Sequence, residues 1–183
     1  MKKLISIIGV IVILFSLLWF REDLEKDKKW RMSDKAVSRF VKKVKKEHHF
    51  KLVGKGGSEE NDKIKSISLT FSSIKEFRIN ELPEARKLLL SLTSSLLESI
   101  NSSPDLKPFL FQYPFSKEDI KISILSDLPI EDGDEYLVYL QIYNGRLTYC
   151  KECEDRMGPF IKVLGESYEE ALKKDGLNSI DVK

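Results

Sequence analysis

No charged residue interrupts the chain from Leu4 to Phe20. A helix of those 17 residues spans about 25 Å, at the short end of what a bilayer core needs. The run is apolar on every side, so it has no polar face to turn toward water, as a surface helix must. Lys2 and Lys3 precede it, giving the basic head and apolar middle of a secretory signal. Two details favour a retained anchor over a cleaved signal. The run closes Phe15-Ser16-Leu17-Leu18-Trp19-Phe20, without small residues at the two positions a signal peptidase reads. Trp19 stands at the apolar–polar boundary, where indole rings prefer to lie. No cysteine lies near position 20 to carry a lipid. The sequence predicts three parts: a hydrophobic anchor or signal segment over 1–20, a charged linker and basic amphipathic helix over 21–49, and a folded domain over 50–183.

Charge is unevenly spread along the 183 residues. The whole chain carries +2, yet residues 21–49 hold eleven Lys/Arg against six Asp/Glu. The basic character belongs to the stretch beside the hydrophobic run, and the domain that follows is mildly acidic, which argues against nucleic acid as its partner. Orientation is contested within the sequence. Arg21, Lys26, Lys28, Lys29, Arg31 and Lys35 favour a cytoplasmic location by the positive-inside rule. A three-residue head leading at once into an apolar run is the pattern of an export signal. The expectation is a single-pass membrane protein with its domain outside the cytoplasm.

Ser33 and Asp34 are N-cap candidates for a helix running to about His48. Val37, Phe40, Val41 and Val44 fall on one face. Lys35, Arg39, Lys42, Lys43, Lys45 and Lys46 occupy the rest, either as a solvated surface or as a basic face for anionic lipid headgroups.

Beyond it the pattern alternates. Phe50–Val53 reads as a short strand, Gly54–Asp62 as a flexible connection, and Ile67, Leu69 and Phe71 as the inward positions of a second strand. Pro83 and Glu84 open a helix whose apolar positions are Ala85, Leu88, Leu89, Leu92, Leu96 and Ile100. Asp105–Phe115, rich in aromatics and proline, reads as a packed loop. Ile120, Ile122 and Ile124 mark a third strand. Tyr136–Tyr143 and Arg146–Cys150 are two more, joined by Asn144-Gly145, the strongest two-residue hairpin signal. Ser167 and Glu170 form a capping box for a last helix to Lys174. The expected fold is α+β: a mostly antiparallel sheet of about five strands with helices packed on one face, in the order α-β-β-α-β-β-β-α, behind an N-terminal transmembrane helix.

Few constellations carry chemistry. Cys150-Lys151-Glu152-Cys153 has redox spacing, but it follows a hairpin strand rather than opening a helix, and Glu152, Glu154 and Asp155 disfavour a thiolate. A local disulfide between Cys150 and Cys153 suits an exported domain. Two reduced, incidental thiols are the alternative. His48 and His49 cannot complete a zinc site easily, since adjacent helical residues point about 100° apart. Gly54-Lys55-Gly56-Gly57-Ser58 lacks the following helix that a phosphate loop needs, and Glu59, Glu60 and Asp62 would repel the anion. No Ser/His/Asp triad can be assembled from two adjacent histidines. Paired-carboxylate hydrolysis stays open, because geometry decides it. No cofactor and no metal are expected.

Three stretches carry a likeness: Glu84-Ala85-Arg86-Lys87-Leu88, Tyr113-Pro114-Phe115-Ser116 leading into Asp119–Ile124, and Glu166-Ser167-Tyr168-Glu169-Glu170-Ala171. Through them the chain resembles small bacterial proteins that join an N-terminal hydrophobic segment to an α+β domain. The resemblance implies a bacterial, membrane-associated protein, so that the expected anchor lies in a bacterial inner membrane, and it assigns no activity. The functional expectation is a membrane-anchored accessory domain, non-enzymatic, that binds a protein partner or an envelope component through Phe109, Phe111, Tyr113 and Phe115. Packing of those rings in the core is the competing account. The rival class is an enzyme, either a thiol–disulfide exchanger at Cys150/Cys153 or a hydrolase.

Overall fold

A computed structural model describes residues 28–74, 77–127, 136–151 and 160–176. Residues 28–48 are helical (α1). Ala36, Val37, Phe40 and Val44 recur at three- and four-residue spacing and are buried, while all six expected basic residues are exposed. Ser33 and Asp34 are not caps, since α1 already covers residue 28. His49, in the left-handed region with φ 59°, ends the helix.

Strands β1 (Lys51–Glu60) and β2 (Lys63–Ser73) form an antiparallel hairpin. It turns at Asn61-Asp62, with φ of 51° and 60°, the left-handed pair that matches strand twist. The expected flexible connection over Gly54–Asp62 is therefore corrected to strand as far as Glu60, with Asn61 and Asp62 alone in the turn. Gly54, Gly56 and Gly57 pair with Thr70, Ser68 and Ile67. Glycine is a weak strand former, but an eleven-residue partner with Ile67, Leu69 and Phe71 buried templates it.

Next come β3 (Phe77–Arg78) and α2 (Leu82–Asn101), then β4 (Ile120–Ser126) and β5 (Tyr136–Leu137). The chain closes with β6 (Tyr139–Tyr143), β7 (Arg146–Lys151), β8 (Ile161–Ser167) and α3 (Tyr168–Lys174). β3 and β5 make a separate two-stranded pair. The main sheet has six strands in the order β1-β2-β4-β6-β7-β8.

The fold class is α+β, with two corrections. The sheet is mixed, because β2 and β4 run parallel. A 20-residue helix lies between them, and a strand–helix–strand crossover returns the chain in its original direction. The sixth strand is β8, whose Gly165 and Glu166 hide it in the sequence although it pairs with β7 over its length.

The membrane expectations are corrected as well. Among the described residues no helix is long and apolar enough to cross a membrane. α1 carries its basic residues on an exposed face, and α2 includes Glu84, Arg86, Lys87 and Glu98. Leu4–Phe20, the basis of the transmembrane expectation, lies outside the described residues. The single-pass helix and the inner-membrane location drawn from it are without support and are withdrawn.

One core unites the elements. It joins Val37, Phe40 and Val44 of α1 and Leu89, Leu92, Leu96 and Ile100 of α2 with Ile67, Leu69 and Phe71 of β2 and Ile120, Ile122 and Ile124 of β4. Leu140, Ile142, Leu147 and Tyr149 extend it across β6 and β7, and Tyr168, Ala171 and Leu172 of α3 close it. Ser99 Oγ donates to the Ala36 carbonyl at 2.8 Å, tying α2 to α1.

Candidate functional site

The aromatic loop between α2 and β4 is anchored from several directions. Leu106, Leu110 and Phe115 are buried in the core. Leu110 bridges to Ile64 of β2, and the Phe111 N–H donates to the Ile64 carbonyl at 2.9 Å. Asn101, the last residue of α2, grips Phe115 twice. Its Nδ2 donates to the Phe115 carbonyl at 2.9 Å, and its Oδ1 accepts from the Phe115 N–H at 2.8 Å. Tyr113 Oη donates to the Asn101 carbonyl at 3.1 Å. Ser116 and Asp119 close the loop with a reciprocal capping box.

This anchoring divides the expected aromatic surface. Phe115 is only 2% exposed and belongs to the core. Phe109 is half-buried. Phe111 and Tyr113 are 38% and 47% exposed. Each of these last three rings lies beside an ammonium group: Lys28 Nζ is 5.9 Å from the Phe109 ring centre, Lys65 Nζ 6.0 Å from that of Phe111, and Lys107 Nζ 4.2 Å from that of Tyr113. The patch adjoins α1, since Lys28 belongs to that helix and Lys35 approaches Asp105 at 3.9 Å. The aromatic edge thus lies beside Lys28 and Lys35 of α1, an adjacency that sequence separation concealed.

The opposite end of the core holds a buried charge network that the sequence reading missed. Arg86 of α2 donates from Nε to Glu166 Oε1 at 2.7 Å, and Tyr149 Oη donates to the same oxygen at 3.0 Å. Lys174 Nζ donates to Glu166 Oε2 at 2.8 Å. Arg86 Nη1 lies 3.7 Å from Asp175 Oδ1, while Asp175 Oδ2 is buried without a hydrogen-bond partner. Burial alone would push the Glu166 carboxyl up. Hydrogen bonds from Arg86, Lys174 and Tyr149 outweigh it and hold the group below its usual range. The Tyr149 phenol is pushed well up, by burial first and by the Glu166 charge second. Both oxygens of Glu166 are occupied, so the network positions elements and offers no free general base. Glu166 standing inward on β8 was the one available signal, visible only once β8 is recognised as a strand.

Cys150 is buried at the end of β7, and burial pushes its thiol up, away from the thiolate a redox centre needs. Cys153 lies outside the described residues. Among the described residues no three His, Cys, Asp or Glu side chains converge as metal ligands. His48 packs 5.5 Å from the Phe50 ring, centre to centre.

Comparison of the chain with protein-family models, with curated proteins and with solved structures finds no match. No relative supports the bacterial, membrane-associated assignment that the resemblance implied, and that assignment is withdrawn.

Proposed function

We propose that this domain is a non-enzymatic binding module whose partner is a protein with an acidic surface. The observation that carries the reading is the pair of outward rings, Phe111 and Tyr113, held on a multiply anchored loop beside lysines. An ordered aromatic loses little freedom on docking, and buried aromatics dominate interface energetics. The exposed cations of α1, of which Lys28 and Lys35 stand beside the loop, add long-range attraction for an acidic partner and raise the association rate more than the affinity. The enzyme alternatives draw less support. Cys150 is buried with its thiolate disfavoured, and the carboxylate Glu166 is spent on Arg86, Lys174 and Tyr149.

The test is parallel affinity isolation with the wild-type chain and a Phe111→Ala/Tyr113→Ala variant. A protein held by the wild type is expected to bind the variant at least thirtyfold more weakly, the loss of about 2 kcal/mol typical of a hot spot. Its binding should also weaken as salt rises. Equal binding by both chains would refute this surface.

A further inference from the structure

Between α1 and the β1–β2 hairpin lies a cleft of about 250 Å³, whose lining includes Trp30, Asp34, Val37, Lys55, Gly57 and Ile67. Trp30, Val37 and Ile67 supply apolar walls. The indole is held in place, since Trp30 Nε1 donates to Glu59 Oε1 at 2.6 Å. Glu59 is itself held by the buried Lys29, whose Nζ donates to Glu59 Oε2 at 2.7 Å and to the Asp62 carbonyl at 3.0 Å. Gly57 leaves room for the ring. A Cβ there would lie 3.0 Å from Trp30 Cη2 and 2.4 Å from the Ser66 carbonyl oxygen. Lys55 and Asp34, both partly exposed, pair at 2.5 Å on the solvent side of the cleft. The site is therefore a preformed apolar recess with one positive and one negative group at its rim.

We propose that this cleft binds a free apolar amino acid of about leucine size. The volume lies below the roughly 300–1,000 Å³ of pockets for drug-sized ligands, so the occupant is small. Its side chain fills the recess against Trp30, its ammonium meets Asp34 and its carboxylate meets Lys55. Charge complementarity selects a zwitterion over other small apolar molecules. A ligand with a single charge would displace one member of the Asp34–Lys55 pair and leave the other unmatched. A zwitterion replaces one ion pair with two. The site is separate from the aromatic edge, so its test is independent of the proposed protein contact.

The experiment follows Trp30 emission in a full-length Trp19→Phe chain, where Trp30 is the remaining indole. Leucine is expected to change the emission saturably. N-acetyl-leucine, which lacks the ammonium, and leucinamide, which lacks the carboxylate, should each bind at least tenfold more weakly. Asp34→Asn and Lys55→Met should each weaken leucine binding at least tenfold without altering the circular dichroism spectrum, since both side chains are partly exposed. Absence of a saturable response to leucine at millimolar concentration overturns the proposal. So does equal binding of leucine and its two blocked forms, or leucine affinity unchanged in both variants.

Discussion

Gly56 and Gly57 are neighbours in one strand, yet alanine at each should act oppositely on stability. Neither requires a left-handed backbone, so conformation does not separate them. Space does. A Cβ on Gly56 meets nothing within 4 Å, whereas on Gly57 it lies 2.4 Å from the Ser66 carbonyl oxygen and 3.0 Å from Trp30 Cη2. A carbon–oxygen contact ordinarily settles near 3.3 Å or beyond, so β1 must move about 0.9 Å from a backbone atom of its own ladder. Overpacking of that kind costs about 1–3 kcal/mol. Against it stands the gain of about 0.4–1 kcal/mol from a less flexible unfolded chain, which both variants share. Gly57→Ala should lose about 0.5–2 kcal/mol, and Gly56→Ala should be neutral or gain up to about 1 kcal/mol. With a urea slope of about 1–3 kcal/mol/M, the two midpoints should separate by roughly 1 M. The assay is equilibrium urea unfolding followed by far-UV circular dichroism, with equal slopes required for the comparison. Coincident midpoints for the two variants would refute the argument that Trp30 and Ser66 exclude a side chain at position 57.

Three further outcomes are expected. Glu166→Gln should destabilise the domain at pH 7 by about 1–3 kcal/mol, because buried Arg86 loses its hydrogen-bonded carboxylate and keeps only Asp175 at 3.7 Å. The native Glu166 carboxyl is held below its unfolded value, so its stabilisation is full above about pH 4.5 and is lost as pH falls through the lower folded value. Acid unfolding of Glu166→Gln should accordingly be less steep below pH 4.5, and identical slopes would count against the network. Phe115→Ala should cost about 3–5 kcal/mol in urea unfolding, whereas Phe111→Ala should stay within about 0.5 kcal/mol of wild type, and similar losses for both would contradict the division of the aromatic loop. In a Cys153→Ser chain, Cys150 should react with a thiol reagent at neutral pH much more slowly than free cysteine, and reaction at the free rate would show that the thiol is not buried.

Local pattern alone identified most elements. Leu82–Asn101 was legible because proline at its start and six apolar residues at helical spacing agree on one face. Asn144-Gly145 announced its hairpin through the two left-handed residues it needs, with φ of 49° and 66°. Ser167 and Glu170 announced α3, and both hydrogen bonds of that capping box are present. These signals are short-range, so the residues that cause the structure stand next to one another in the chain.

What the sequence left open depends on residues that are far apart in it. Gly54–Ser58 reads as a loop by propensity, and only pairing with β2 makes it strand and only the approach of Ser66 and Trp30 explains Gly57. β8 took its place from β7, which overrides the poor strand propensity of Gly165 and Glu166. Glu166 meets Arg86 across 80 residues and Tyr149 across 17, and no spacing rule links them. The aromatic run could be core or surface by composition. Tertiary packing sent Phe115 inward and Phe111 outward, because Leu110 at Ile64 and Asn101 at Phe115 set the direction of the chain between them. Propensity and periodicity act over a few residues and so determine helices, turns and most strands. Strand order, buried charge pairing and the exposure of a given ring arise from contacts between distant segments, and those were settled only when the elements packed.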